Sequence, residues 1–324
     1  MEIALIPHRF LFRLLPLLLL AGCVNRSQSS DVSAAPPRYT LKSDAIWLLQ
    51  SPSGGRFDAS ALLQRPDGQL WTINDREAQV YRIAFLTETN VARLLPVPDL
   101  FTEKKLARYA KEKVGRYDVE GLAQDDRGRV YMCEEANRWI LRVDPKSKEV
   151  ERLEIDWSPV KQYFHPTDRN ASFEGVAVGG GNLYVANERQ RGRIIVVDLE
   201  TLKVVDDFTV RPSHTLALDT HYSDLCWFDG ALYALLRENR LVVKIDPKAK
   251  SILAEYSFAG LEKEVPLGYD TLYGTSAMEG LAVDRDFIWL VTDNNGRGRK
   301  GAPDDIRPSL VRCLRPDKQA GGKP

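Results

Sequence analysis

Val119-Glu120-Gly121-Leu122-Ala123, Asp126-Arg127-Gly128, Tyr131-Met132-Cys133-Glu134-Glu135 and Ile140-Leu141-Arg142-Val143-Asp144 follow one another in this chain, and together they decide its fold. An acid leads a short apolar strand, a tight turn follows, an aromatic-led strand ends in acids, and a third strand closes on Asp. A fourth strand fits near Glu149 to Ile155. Runs of four to seven residues rich in Val, Ile, Leu and Tyr, bounded by Gly-containing turns, are the signature of hairpin strands.

The same pattern recurs from residue 58 to 314. A second copy reads Phe173-Glu174-Gly175-Val176-Ala177, then Leu183 to Glu188, Ile194 to Asp198 and Lys203 to Val210. A third reads Ser223-Asp224-Leu225-Cys226-Trp227, then Leu232 to Arg237, Leu241 to Asp246 and Ile252 to Phe258. Weaker copies flank them, Ser60-Ala61-Leu62-Leu63 with Leu70 to Asp75, and Glu279-Gly280-Leu281-Ala282 with Ile288 to Asp293. Copies begin at 60, 120, 174, 224 and 279, a period of 50 to 60 residues that suits one four-stranded propeller blade with an added loop. The expected fold class is therefore an all-β propeller of five blades. Six remain open if Phe85 to Tyr117 or Ala259 to Ser276 holds another. The last copy lacks a fourth strand after Leu314, and Tyr39 to Leu49 can supply it, which pairs the chain ends and removes free sheet edges. One amphipathic helix is expected, over Glu103 to Lys113.

Blade geometry turns the repeat into a site. The innermost strand lines the channel and the next runs antiparallel to it, so the start of one lies beside the end of the other. An inner ring of Ser60, Glu120, Glu174, Asp224 and Glu279 and an outer ring of Asp75, Glu135, Glu188, Arg237 and Asp293 then share one mouth. Acids converging on an axis repel one another once dehydrated, so they require a cation, shared protons or arginines. Oxygen-only donors suit Ca²⁺ better than zinc. The candidate metal ligands are Glu120, Glu174, Asp224 and Glu279, with Glu135, Glu188 and Asp293 behind them. Blade-capping or arginine pairing accounts for the same acids without a metal. Arg76, Arg189 and Arg237, with Asn294 in the Asp293-Asn294-Asn295-Gly296 turn, are the candidate groups for an anionic ligand. Glu120, Glu174, Glu279 and the loop residue His165 are the candidates for acid or base work. No Ser or Cys nucleophile signature, phosphate loop or dinucleotide fingerprint is present.

Lys+Arg and Asp+Glu are both 45 in 324 residues, so bulk charge argues for neither nucleic acid nor an anionic membrane surface. The N-terminus places the chain outside the cytoplasm. Arg9 and Arg13 precede an apolar run from Leu14 to Leu20 that is too short to span a bilayer, and Leu20-Ala21-Gly22-Cys23 follows. Residues 1–22 thus read as a signal peptide and 23–38 as a Ser-, Ala- and Pro-rich tether. The propeller occupies 39–316 and a disordered tail 317–324. Leu-Ala-Gly-Cys resembles the bacterial lipobox, which implies acylation (palmitate among the acyl chains) at Cys23. With Val24 next, retention in the outer membrane is expected, the membrane being reached through the lipid anchor only. Cys133, Cys226 and Cys313 sit in apolar segments, as buried free thiols do.

Asp118 to Ala123 leading to Glu135, Ser172 to Ala177 leading to Glu188, Tyr222 to Leu225 leading to Arg237-Glu238, and Met278 to Ala282 leading to Asp293-Asn294 resemble, in order, the motifs of the phytase-like propeller family labelled "esterase-like activity of phytase". The resemblance covers about residues 55 to 315 and implies ester or phosphoester hydrolysis with a divalent metal. The sequence departs from the family in its first blade, where Ser60 replaces the acid, and it is sparse in the Lys and His that phytate would favour. Three functions fit: a calcium-dependent hydrolase of small esters or phosphoesters, a non-catalytic monomer that binds a ligand or an envelope protein around a structural ion, and a lactonase of the gluconolactonase-like kind.

Overall fold

The structure, a computed structural model, describes residues 35–169, 172–188, 192–213, 220–271 and 274–319. Cys23, the signal segment and Arg189 lie outside these. Two strands lead in, β1 (Arg38–Thr40) and β2 (Ser43–Gln50). Four-strand groups follow: β3 (Ala59–Gln64), β4 (Leu70–Asn74), β5 (Glu77–Phe85) and β6 (Val91–Pro96); β7 (Val119–Gln124), β8 (Val130–Glu134), β9 (Trp139–Val143) and β10 (Val150–Arg152); β11 (Phe173–Gly179), β12 (Asn182–Asn187), β13 (Arg193–Asp198) and β14 (Lys203–Phe208); β15 (Asp224–Phe228), β16 (Ala231–Leu236), β17 (Leu241–Asp246) and β18 (Ser251–Ser257). The last three are β19 (Met278–Val283), β20 (Phe287–Thr292) and β21 (Ser309–Leu314). Neighbours within each group are antiparallel. β2 pairs antiparallel with β21 on one side and parallel with β6 on the other, so the first and last groups form one continuous sheet. β1 adds a parallel edge to β18.

The first strands touch in a closed cycle, β3 to β7 to β11 to β15 to β19 and back to β3. Five apolar clusters lie between consecutive groups. Trp71 and Ile73 meet Leu122 and Met132; Tyr131 and Ile140 meet Phe173 and Val185; Tyr184 and Ile194 meet Leu225 and Leu232; Tyr233 and Val242 meet Met278 and Leu290; Leu62 and Ile83 meet Trp289 and Val291. Each such side chain contributes roughly 1.5–3 kcal/mol on burial, so apolar packing is the main force holding the sheets face to face. The glycine after the acid is a consequence of this packing. A Cβ on Gly175 would lie 2.7 Å from the Asp224 Cα, one on Gly121 2.7 Å from the Val176 nitrogen, and one on Gly280 2.7 Å from the Ala61 carbonyl carbon. Inner strands converge on the axis, and only glycine lets their backbones approach so closely.

Two expectations change. The helix expected over Glu103 to Lys113 is a single α-turn, α1 (Glu103–Leu106), followed by a 3₁₀ turn at Ala107–Tyr109. Leu106 is its one buried residue, and a segment with so little apolar face has nothing to hold a longer helix down. Residues 317–319, expected in the tail, form with Pro316 the short helix α2 (Pro316–Gln319), pinned by an Asp317–Arg315 ion pair of 2.8 Å. Between β6 and β7, and between β18 and β19, no strand occurs among the described residues.

Candidate functional site

Both acidic positions of the repeat meet at one end of the channel. The amide of the second acid donates to the carbonyl just ahead of the first strand in four groups: Asp75 to Asp58 (3.0 Å), Glu135 to Asp118 (2.8 Å), Glu188 to Ser172 (2.8 Å) and Asp293 to Ala277 (2.8 Å). Glu120, Glu174 and Glu279 each occupy a β-bulge, where the pairing skips one residue. A bulge frees a residue from the ladder and re-aims its side chain.

Asp224 differs. Fully buried, it accepts from the Leu281 amide (2.7 Å), the Leu62 amide (3.4 Å) and its neighbour Leu225 (2.8 Å). The inner strands carry unpaired edges toward the axis, and this carboxylate satisfies two of them. Asn294 likewise holds its own loop, donating to the carbonyls of Arg297 and, at 3.0 Å, Ile306. The His165 Nδ1 accepts from the Asp168 amide at 2.8 Å, capping a turn.

The remaining groups form two halves. On one side Asp75, Asp118 and Glu120 each bring an oxygen within 4.8 Å of the others. Asp75 Oδ1 is buried there without a hydrogen-bond partner. Burial, then the neighbouring acids Asp58, Asp293 and Asp118, push Asp75 up to about 7. Glu120 is raised well above the usual carboxylate range by burial and then by Glu135, Asp75 and Asp118. Arg56 and Arg76 stand beside this group, 2.7 Å and 3.6 Å from the buried Asp58. On the other side Arg237 donates to both oxygens of Glu279 (2.5 and 2.6 Å) and lies 3.2 Å from Glu188 and 3.5 Å from Glu238. Glu188, His221 and Glu238 also bring ligand atoms within 4.8 Å of one another. His221 is raised by its hydrogen bond to Glu238. Burial alone would raise Glu238, but His221 and Arg237 bring it below its ordinary value.

Between the halves Glu135 accepts from the Ser172 amide at 2.8 Å, and its charge bears on Glu174. Burial, with Asp118 and Glu188 adding to it, takes Glu135 to about 8, and burial followed by Glu188 and Glu135 takes Glu174 well above its usual range. Asp293 rises to about 8 and Glu279 to about 7, burial leading in both, although Arg237 pulls Glu279 back.

The donor sets discriminate between ions. Asp75, Asp118 and Glu120 offer oxygen only, with one buried oxygen lacking a partner, and fit a hard cation such as Ca²⁺. The Glu188, His221 and Glu238 set already has a guanidinium against it, shared with Glu279. The repeat alone marked Glu120, Glu135, Glu174, Glu188, Glu279, Asp293, Arg76 and Arg237 for this mouth. It passed over Asp58, Asp118 and Glu238. Asp58 and Asp118 stand two residues before the inner position, just ahead of β3 and β7, and that common offset was the available signal. Asp58 also supplies to the first group the charge that Ser60 lacks.

Comparison with solved structures finds propeller-type proteins. Glutaminyl cyclase of Myxococcus xanthus is 14% identical, with 86% of this chain and 99% of that chain covered and a TM-score of 0.55. Virginiamycin B lyase of Staphylococcus aureus is 12% identical, over 79% of this chain and 66% of that one, with a TM-score of 0.39. Among curated protein sequences none matches. The first of these likenesses speaks for the fold alone. Residues 55–296, which contain the inner acids of the repeat and both halves of the mouth, match the profile described as esterase-like activity of phytase, and the chain belongs to this phytase-like family.

Proposed function

We propose that the chain is a metal-dependent hydrolase of a small ester or phosphoester, acting at the carboxylate mouth of a five-bladed propeller that β2 closes. One observation carries this reading: Asp75, Asp118 and Glu120 converge, with a buried unpartnered oxygen, beside Arg76. These three residues would hold a Ca²⁺, with Glu135, Glu174 and Asp293 around it. A divalent cation bound there supplies a Lewis acid for the ester oxygens and lowers the pKa of water. The chain's own groups do the rest. Arg76 and Arg56 neutralise an anionic substrate that the bare acids would repel. Glu135, raised to about 8 chiefly by burial, holds a proton at near-neutral pH and can deliver it to the departing oxygen. Asp224 keeps the inner strands in register beneath. Export and acylation at Cys23, with the outer membrane as destination, belong to the same proposal and rest on Leu20-Ala21-Gly22-Cys23.

A second reading, a binding propeller with a structural ion, is favoured by Arg237, which occupies Glu279 and Glu188 on one side of the mouth. Assays of aryl phosphates, aryl esters and lactones, with calcium and with chelator, separate the two. Calcium-dependent turnover lost in Glu120→Gln and Asp75→Asn supports the hydrolase. No turnover, or turnover indifferent to both, overturns it. Calcium calorimetry on the same variants tests the ion separately, and Cys23→Ala tests the anchor through membrane association.

A further inference from the structure

The three acids that converge at the mouth stand on different kinds of backbone. Asp75 directly follows β4 and Glu120 lies within β7, but Asp118 closes the long connection from β6, and residues 113–118 of that connection have no regular structure. The tip of this stretch has no apolar hold, since Val114 is 48% exposed. An ion ligand carried on such a segment needs its backbone fixed by other groups.

A buried carboxylate fixes it. Glu134, the last residue of β8 and fully buried, accepts from the Asp118 amide at 3.3 Å. The same carboxylate accepts from the Asn137 amide at 2.8 Å and from the Asn137 side-chain nitrogen at 3.0 and 3.1 Å. Asn137 in turn clasps Val114 by both backbone groups. Its oxygen accepts from the Val114 amide at 2.8 Å, and its nitrogen donates to the Val114 carbonyl at 3.4 Å. The Asp118 carbonyl receives the Glu135 amide at 2.8 Å. The backbone of Asp118 is thus pinned on both sides to the hairpin of β8 and β9, and the tip ahead of it is pinned to the same hairpin.

The first group repeats the device. Asn74, the last residue of β4, accepts from the Asp58 amide at 3.3 Å, and Asp58 stands before β3 as Asp118 stands before β7. In the other three groups Asn187, Leu236 and Thr292 take the place of Glu134, and the residues matching Asp118 are Ser172, Tyr222 and Ala277, none of them acidic. An acid just ahead of the inner strand and a side chain that catches its amide therefore occur together only in the two groups that build the cation half.

We infer that Glu134 is a positioning residue of the cation site, acting through Asn137 and the Asp118 backbone. The inference rests on the reading of Asp75, Asp118 and Glu120 as Ca²⁺ ligands. Every partner of Glu134 named above is an N–H donor, so the residue acts on the direction from which Asp118 reaches the ion and not on the ion itself. Groups that orient metal ligands typically change affinity by about 10–100-fold when lost.

Calcium calorimetry on the full chain tests this, with hydrogen exchange of the peptide from Glu112 to Leu122 as a second readout. Asn137→Ala should bind calcium about tenfold more weakly and exchange this peptide faster, and Glu134→Leu should lose at least as much affinity. Glu134→Gln keeps an acceptor oxygen for the Asp118 amide and should retain most of it. Thr292→Val is the control for a merely structural effect. It removes hydrogen bonds to Ser309 and Tyr269 at the same place in the last group, and should lower the melting temperature with calcium affinity unchanged. If Glu134→Leu does not fold, Asn137→Ala, in a half-buried turn, carries the test. A wild type that binds no calcium overturns the cation site and this inference together. Calcium held equally by the wild type and Asn137→Ala overturns this inference alone, as does an equal loss in Thr292→Val or a Glu134→Gln variant as weak as Glu134→Leu.

Discussion

Asp224 and Glu279 occupy the same position in the repeat and do different work, and the difference follows from what reaches each carboxylate. Glu279 at its bulge meets a guanidinium; Asp224, one methylene shorter and without a bulge, meets the amides of Leu62 and Leu281. Asp224→Ala therefore leaves two buried amides unpaired and should cost on the order of 3 kcal/mol in urea unfolding. Calcium affinity should stay unchanged when measured on the folded fraction; a lost ion with normal stability would contradict a purely structural role for Asp224. Gly175→Ala should be at least as harmful, because its Cβ would meet backbone, which cannot rotate away as a side chain can. The prediction is a lowered melting temperature with the sheets intact by circular dichroism, and an unchanged melt would refute it. The acids themselves were legible in the sequence, since an acid before a small apolar run recurs at a fixed spacing. Their partners were not. That Asp224 faces amides and that Asp118 joins Asp75 are facts of three-dimensional packing between blades, and no spacing within one blade encodes them.

At the scale of elements the strands were readable because alternation and Gly-containing turns are local, and the fourth partner of β21 was readable because a sheet edge needs covering. The parallel pairing of β1 on β18 and of β2 on β6 left no sequence mark. Both depend on where the chain passes after its neighbours have formed. β2 has ladders on both sides, Ile46 facing Val311 on one and Leu48 facing Val91 on the other. A proline inside such a strand removes a ladder bond and strains its neighbours, so Ile46→Pro should cost about 3 kcal/mol. Loss of a single cooperative melt, with protease cutting near both chain ends, is the expected outcome. An unaltered melt would show that β2 is an ornament on an already complete ring.

For the whole molecule, balanced totals of acidic and basic residues conceal a concentration of acids at one mouth. Its pH behaviour follows from the sign of the shifts. Glu135 and Asp293 at about 8, and Asp75 and Glu279 at about 7, hold protons in the folded state that the unfolded chain releases near pH 4. The folded state therefore binds more protons over the interval from about pH 4 to about 8, and stability falls as pH rises through it. Chelator-treated protein should melt at least about 5 °C lower at pH 8 than at pH 5. Calcium should restore more of that loss at pH 8, where fewer protons compete for the same oxygens. Equal melting at both values would mean that the acids are neutralised by arginine alone.

The position of β2 also sets an order in time. Its eight residues leave the ribosome early, yet one of its two partners, β21, is among the last segments made. Until Ser309–Leu314 exists, β2 has only β6 to pair with. The ladder between β2 and β21 is therefore the part of this sheet that cannot form until the last of its strands has been made.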